Sequence, residues 1–185
     1  MKCSYCYNKF PRTGRLADLK DLLKFVSELQ QKTQRPINDL VLVGGEPTLH
    51  PELPQFVSSL LGLDIKNLVL WTNFEEDLNN YYIPLLDQGC KLAMSWHGKE
   101  DDRRNLSFVK KALQVPDRFI SSGQIVELDL MAEQDNFDNF KIAYKLLKPK
   151  YKNYTYIWPV YTTELVIGEY SQSQLKTFQE MSCEL

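Results

Sequence analysis

Cys3 and Cys6 form a close pair near the start of the chain, and Tyr5 stands directly before the second cysteine. Thiolates at this spacing can hold a metal or an iron–sulfur cluster, or can form a redox-active disulfide. The other two cysteines, Cys90 and Cys183, are far apart, whereas a zinc knuckle needs a second close pair. On spacing alone, a metal or cluster site and a redox-active pair both stay open.

A second segment with chemical potential is Gly44-Gly45-Glu46-Pro47. Glycines allow a ligand to approach the backbone closely and can adopt positive φ. Exposed backbone N–H and C=O groups beside a carboxylate suit an ammonium group or another polar small molecule. The alternative is a tight turn that only redirects the chain. A thioredoxin-like pair at Cys3 and Cys6 would leave this segment unexplained.

The chain alternates between short apolar runs and amphipathic segments. Continuous apolar runs predict strands that are buried on both faces, and apolar residues at helical spacing predict helices. Pro84 is expected to kink one helix, and Gly89 to close it. The predicted strands are 39–43, 67–71, 91–96, 124–131 and 154–160, and the predicted helices are 16–33, 50–62, 75–89, 101–115, 137–148 and 171–182.

This alternation predicts an α/β fold with a parallel sheet and right-handed crossovers. Periodicity alone fits either an open doubly wound sheet or an open section of an α/β barrel. In both architectures ligands bind beyond the carboxyl ends of the strands. The loops that start at Gly44, Thr72, Ser95, Met131 and Trp158 are therefore expected to line one cavity.

Several further residues have either a functional or a structural interpretation. Asp129 alternates with leucines and is expected to point into the barrel, where an unpaired carboxylate is costly. His97 contacts a ligand or is a satisfied loop histidine, with no preference between the two. The aromatic stripe Tyr151, Tyr154, Tyr156 and Trp158 favours core packing and closure of the rim over stacking on a ligand. Cys90 opens a strand and should lie at the opposite, stabilising end of the sheet.

Bulk composition excludes some classes of protein. The 185 residues include 22 basic and 24 acidic side chains, for a net charge of -2 and a pI near 5.8. The sequence contains no stripe of basic residues that would predict binding to nucleic acid. No apolar run reaches the roughly 18 to 20 residues that cross a membrane, and the first residues lack the pattern of a signal peptide. A cytoplasmic protein is expected.

Four segments in this order, CSYCYN, VLVGGEPTLHPEL, LWTNF and MSWHG, resemble the radical S-adenosylmethionine (radical SAM) superfamily over roughly residues 1–160. The resemblance implies an open, partial TIM-type barrel over 1–160, followed by a partly helical extension over 161–185. It also implies a [4Fe–4S] cluster that cleaves S-adenosylmethionine reductively, so that the resulting radical abstracts hydrogen from substrate. The implied partners are an electron donor such as flavodoxin or ferredoxin and a small-molecule, peptide or protein substrate that the sequence does not identify.

The resemblance assigns roles to individual positions. Cys3 and Cys6 match the second and third cluster ligands, and Tyr5 matches the aromatic residue before the last ligand. The four residues of the GGEP segment match the part of the family motif that holds the amino group of S-adenosylmethionine. They are Gly44, Gly45, Glu46 and Pro47. Asn73 and Ser95 match polar positions at strand ends that line the cofactor site.

The sequence departs from the family signature at the first cysteine of CxxxCxxC. That cysteine would stand four positions before Cys3, upstream of Met1. We therefore expect the first strand and the first ligand to be missing from this chain, and two thiolates to hold a cluster poorly. Cys183 is the first alternative third ligand, whereas His50 and His97 would be atypical ones. The alternative function is a stable barrel remnant that holds no cluster and at most binds a partner.

Overall fold

The computed structural model describes residues 16–97, 102–132, 136–159 and 170–183. Strands and helices alternate along the described chain. The strands are β1 (Asp39–Leu42), β2 (Asn67–Thr72), β3 (Lys91–His97), β4 (Ile125–Ala132) and β5 (Thr155–Pro159). The helices are α1 (Leu19–Thr33), α2 (Leu53–Leu61), α3 (Ile83–Asp87), α4 (Asp102–Gln114), α5 (Asp117–Ser121), α6 (Phe137–Tyr151) and α7 (Gln172–Cys183).

The five strands form one parallel sheet in the order β1-β2-β3-β4-β5. Thr72 of β2 is level with Met94 of β3, and Ser95 is level with Asp129 of β4. The predicted parallel α/β fold is confirmed, and the arrangement is that of a partial TIM-type barrel. Among the described residues the sheet does not close into a full barrel.

The two faces of the sheet differ in chemistry because side chains alternate along each strand. The face covered by helices is apolar and contains the fully buried side chains Leu68, Leu70, Leu92, Leu128 and Leu130. The opposite face, here called the inner face, contains polar and aromatic side chains. They are Asp39, Asn67, Trp71, Lys91, Ser95, Glu127, Asp129, Tyr156 and Trp158. Such a face suits a binding cavity better than a packed core.

The helix ends follow ordinary capping chemistry. The side chain of Asp18 accepts hydrogen bonds from the N–H groups of Lys20 and Asp21 and so caps α1. The C-terminal end of α3 leads into Gly89, whose φ of +100° is the left-handed conformation that closes a helix. The predicted role of Gly89 is confirmed.

The segment predicted as one helix over 75–89 is divided. Residues Leu78–Tyr82 form a π-helical turn, capped by the side chain of Asp77, and α3 follows directly. Pro84 lacks the N–H that an α-helix would use at this point, and the preceding N–H of Ile83 donates to the carbonyl oxygen of Leu78. The proline therefore falls where the helix changes from π to α geometry, close to the predicted kink.

Three other boundaries differ from the sequence prediction. Helix α2 begins at Leu53 rather than near Pro51, because a separate 3-10 turn occupies Pro47–Leu49. Helix α6 continues to Tyr151, with Pro149 in its last turn. The short helix α5 follows Pro116 and was not predicted, since five residues are too few to show a helical period.

Leu92→Ala is expected to lower the free energy of unfolding by about 2 to 5 kcal/mol, because it empties a fully buried site in the central strand. Leu113→Ala removes the same atoms from a side chain that is 39% exposed, so its cost should be below about 1 kcal/mol. Urea unfolding of both variants measures the difference. Equal costs would place Leu92 outside the core.

None of the helices in the described ranges is long and apolar enough to cross a membrane.

Candidate functional site

The loop after β1 is organised by the side chain of Glu46. This residue caps the 3-10 turn Pro47–Leu49, and its Oε1 accepts hydrogen bonds from the N–H of Thr48 (3.2 Å) and the hydroxyl of Thr48 (2.7 Å). Pro47 occupies the first position of the turn, where a missing N–H costs nothing. The GEP part of the motif therefore encodes a capped turn.

The same carboxylate joins the ends of β1 and β2. Oε1 of Glu46 also accepts from the hydroxyl of Thr72 (2.8 Å), and Oε2 accepts from the backbone N–H of Asn73 (2.8 Å). Thr72 is buried, and its oxygen further accepts from the N–H of Phe74. Glu46 therefore connects two neighbouring loops at the carboxyl edge of the sheet.

Two tyrosines of the π-helical turn lie beside this carboxylate. The hydroxyls of Tyr82 and Thr72 are 3.1 Å apart, and burial raises the pKa of Tyr82 well above its usual value. Burial, followed by the charges of Glu76 and Glu46, raises the pKa of Tyr81 to about 12. Both phenols therefore stay neutral, and Tyr82 adds a hydrogen-bonding group behind Glu46.

The residues present fit a ligand with an amino group. A carboxylate offers about four acceptor positions, and the described contacts leave one of them on Oε2 of Glu46. Gly44 and Gly45 are exposed, and a Cβ built on either would meet no atom of the described residues within 4 Å. Positive φ occurs at Gly89 and Gly123 instead, so a strained turn does not explain the two glycines. They leave open space beside the carboxylate.

The start of α1 is attached to the same edge of the sheet. Nε2 of His50 donates to the carbonyl oxygen of Ala17 (3.0 Å), while Nδ1 accepts from the N–H of Glu52. His50 is therefore a satisfied loop histidine rather than an available ligand. Ala17, just before α1, therefore lies beside the loop that follows the 3-10 turn Pro47–Leu49.

A second polar cluster lies on the inner face and spans four strands. The indole N–H of Trp71 donates to Ser95 Oγ (2.7 Å), and Ser95 Oγ lies 3.5 Å from Asp129 Oδ2. The indole N–H of Trp158 donates to Asp129 Oδ1 (2.7 Å). Asp129 is fully buried, whereas Trp71 and Trp158 are 38% and 49% exposed. The inward orientation predicted for Asp129 is what the structure has, and both indoles remain partly exposed on the inner face.

Glu127 and Asp129 form a coupled pair of carboxyl groups in this cluster. Burial, followed by the hydrogen bond to Asp129 and the charge of Asp129, raises the pKa of Glu127 to about 7. Burial also raises the pKa of Asp129, while hydrogen bonds from its neighbours oppose the shift. Around neutral pH the pair holds one proton between two carboxylates.

This pair makes the stability of the protein depend on pH. The folded state binds the proton of Glu127 more tightly than the unfolded chain does, so the free energy of unfolding falls as the pH rises from about 4.5 to about 7. Glu127→Gln removes this titration and should add about 1 kcal/mol above pH 7, after allowance for solvent screening. Below pH 4.5 it should add little.

Urea unfolding at pH 4.5 and pH 8 measures this effect, with Glu180→Gln as the control because Glu180 is exposed and lies on α7. The same change in stability at both pH values would contradict the shared proton.

Cys90 lies far from the Glu46 loop, and the paired cysteines lie outside the described residues. Cys90 is fully buried immediately before β3, at the opposite end of the sheet, and burial raises the pKa of its thiol to about 12. Cys183 ends α7. Cys3, Tyr5 and Cys6 fall outside the described residues. Within the ranges that are described, no group of three or more histidine, cysteine or acidic side chains is placed to hold a metal ion.

The predicted site residues therefore separate into two neighbouring groups. Glu46 and Asn73 are joined directly, with Gly44, Gly45 and Pro47 in the same loop. Ser95 lies within β3 and contacts Trp71 and Asp129 instead. Their contacts with a cofactor stay predictions. Sequence reasoning missed Thr48 and Tyr82 as partners of this site, since neither belongs to a motif with a spacing signal.

A polar groove of about 390 Å³ lies elsewhere, between the first turns of α6 and α7. It is lined by Asn136, Lys141, Ser171, Gln174 and their neighbours. Residues 133–135 and 160–169, which adjoin it in sequence, fall outside the described chain. We assign it no role.

The open parallel α/β sheet is that of a partial TIM-type barrel, and the Glu46 loop lies at its carboxyl edge, where enzymes of this architecture carry their active sites. Comparison of families places the chain within that class: the radical SAM superfamily matches residues 1–118. The chain belongs to this superfamily. A search of curated proteins found no match.

Proposed function

We propose that this protein is a radical SAM enzyme that binds S-adenosylmethionine at the Glu46 loop and a [4Fe–4S] cluster at Cys3 and Cys6. The observation that carries the proposal is the connection made by Glu46 between the Gly44-Gly45 loop and the N–H of Asn73. It leaves an acceptor oxygen of Glu46 beside the exposed backbone of Gly44 and Gly45, at the carboxyl edge of the sheet.

Each group of residues has a separate task in this proposal. Oε2 of Glu46 accepts a hydrogen bond from the amino group of S-adenosylmethionine, and Gly44 and Gly45 allow its close approach. Cys3 and Cys6 ligate two of the irons. When bound, the cluster would supply the electron for reductive cleavage of S-adenosylmethionine, the chemistry by which such enzymes abstract hydrogen from a substrate.

The inner face supplies the surroundings of the substrate. The partly exposed indoles of Trp71 and Trp158 exclude water from one side of the cavity. Ser95 orients Trp71, and Asp129 orients Trp158. A small electron-transfer protein provides the electron. The substrate is a small molecule, a peptide or a protein.

Iron and sulfide analysis after anaerobic reconstitution tests the proposal. We compare the present chain with a lengthened chain that carries a cysteine four positions before Cys3. The present chain should bind well under one cluster, whereas the lengthened chain should approach about four irons per chain, because it offers three thiolate ligands.

Two results would contradict this account. Full occupancy in both chains would mean that another residue, Cys183 first, supplies the third ligand. No iron in either chain would favour a barrel remnant that holds no cluster.

A further inference from the structure

Lys111 of α4 is bound to the loop that follows β2. Its Nζ donates hydrogen bonds to three successive carbonyl oxygens, those of Phe74 (2.9 Å), Glu75 (2.7 Å) and Glu76 (2.5 Å). An ammonium group has three N–H donors, and all three are used here. Nζ also lies 5.4 Å from the centre of the Phe74 ring. The loop is therefore wrapped around a fixed cation.

The conformation of this loop needs such support. Phe74 has a φ of +59°, a left-handed conformation that a bulky residue rarely adopts. Its ring is buried against Tyr82, with the two ring centres 4.4 Å apart, and packs edge-on against Phe108 of α4. Three carbonyl dipoles that converge on one point repel each other unless a positive charge lies between them. The ammonium group of Lys111 provides that charge.

The loop held by Lys111 is the one that contacts Glu46. The N–H of Asn73 donates to Oε2 of Glu46, and the N–H of Phe74 donates to the hydroxyl of Thr72, which in turn donates to Oε1. A change in the path of residues 74–76 moves these donors directly. Lys111 thus acts on the carboxylate through the backbone of the loop.

We propose that Lys111 is a positioning residue that holds the loop after β2 so that Asn73 keeps Glu46 oriented toward a ligand. The expected effect on the affinity for S-adenosylmethionine rests on the proposed function. The effect of Lys111 on the position of Asn73 rests only on the contacts within the fold. Burial lowers the pKa of Lys111, but the neighbouring charges of Asp77, Glu76 and Glu75 oppose this shift and favour the charged form.

The first test is hydrogen exchange of individual amides, measured by NMR in the present chain. Lys111→Met keeps most of the side-chain volume and removes the charge. The Asn73 amide should then exchange about tenfold faster, the effect of losing a charge-assisted hydrogen bond in the loop. The amides of Leu128 and Leu130 in β4 should be unchanged. Lys110→Met is the matched control, because Lys110 is the exposed neighbour on the same helix.

Lys111→Arg separates charge from a general structural role. Arginine is also cationic and presents donors to the same carbonyl groups, so it should restore most of the protection at Asn73. Unchanged protection in Lys111→Met would overturn the proposal. Equally faster exchange in β4 would also overturn it, since Lys111 would then only stabilise the whole fold.

The second test concerns the cofactor in the reconstituted, lengthened chain. The S-adenosylmethionine concentration that gives half-maximal formation of 5′-deoxyadenosine should rise about tenfold in Lys111→Met, with a smaller change in maximal rate. Lys110→Met should change it less than about twofold. Faster exchange at Asn73 with unchanged half-saturation would overturn the positioning role. If the lengthened chain without substitution forms no 5′-deoxyadenosine, the proposed function fails. The exchange rate of the Asn73 amide then still shows whether Lys111 holds the loop in place.

Discussion

Cys3→Ala and Cys6→Ala are each expected to abolish iron–sulfur binding in the lengthened chain, whereas Cys90→Ala should leave it intact. A [4Fe–4S] cluster held by three thiolates loses a protein ligand with either of the first two changes, and the exposed iron is then open to solvent and oxygen. Cys90 is fully buried before β3, and burial raises the pKa of its thiol to about 12, so it is neither accessible nor a thiolate.

Iron and acid-labile sulfide counts measure this prediction, together with the visible absorption of the reconstituted protein. Cys90→Ala controls for the general effect of removing a thiol, and its circular dichroism shows whether the core tolerates the change. Loss of iron in Cys90→Ala with an intact fold would mean that Cys90 is a cluster ligand, which would contradict a cluster site at the carboxyl edge of the sheet. Retention of iron in Cys3→Ala or Cys6→Ala would remove that residue from the site.

Glu46→Ala should have the second largest effect, because one carboxylate accepts four hydrogen bonds. The change leaves the N–H and hydroxyl of Thr48, the hydroxyl of Thr72 and the N–H of Asn73 without this acceptor. Thr48 and Thr72 are buried, so water does not fully replace the lost partner. We expect a loss of about 3 kcal/mol in the free energy of unfolding. We also expect at least a roughly tenfold loss of S-adenosylmethionine cleavage.

Glu46→Gln separates the two parts of this role. An amide retains one oxygen for the threonine donors, but its NH₂ group then faces the N–H of Asn73, and two donors cannot pair. The stability loss should therefore be smaller than in Glu46→Ala, while the loss of cofactor cleavage should be similar. Glu52→Ala is the control, since Glu52 is exposed in the same segment. Equal free energies of unfolding for Glu46→Ala and Glu52→Ala, measured in urea, would contradict the role of Glu46 as the acceptor of four hydrogen bonds.

The strands and most helices could be predicted because their signals are local. Each apolar run that was interpreted as a strand forms one, and residues 39–43 and 67–71 pair in parallel as the alternation requires. The inward orientation of Asp129 follows from the same alternation of side chains. The π-helical turn before Pro84 could not be predicted in detail, because periodicity does not distinguish a kink from a wider turn.

The candidate site was predicted in its parts but not in its connections. The sequence indicates that Glu46 and Asn73 lie at the same edge, since both follow neighbouring strands. It contains no signal that Thr72, 26 positions away, donates to Glu46, or that Lys111 binds the carbonyl groups of Phe74 and its neighbours. These contacts depend on the exact backbone path of loops, which residue type and spacing do not determine.

Formation of 5′-deoxyadenosine from S-adenosylmethionine is the measurement that tests the central claim most directly. The reconstituted, lengthened chain is reduced with dithionite under anaerobic conditions, and the product is quantified by chromatography. We predict 5′-deoxyadenosine from this chain, at least tenfold less from Glu46→Ala and none from Cys3→Ala. A chain that carries its full complement of iron and sulfide but forms no 5′-deoxyadenosine would contradict the proposal that this protein is a radical SAM enzyme.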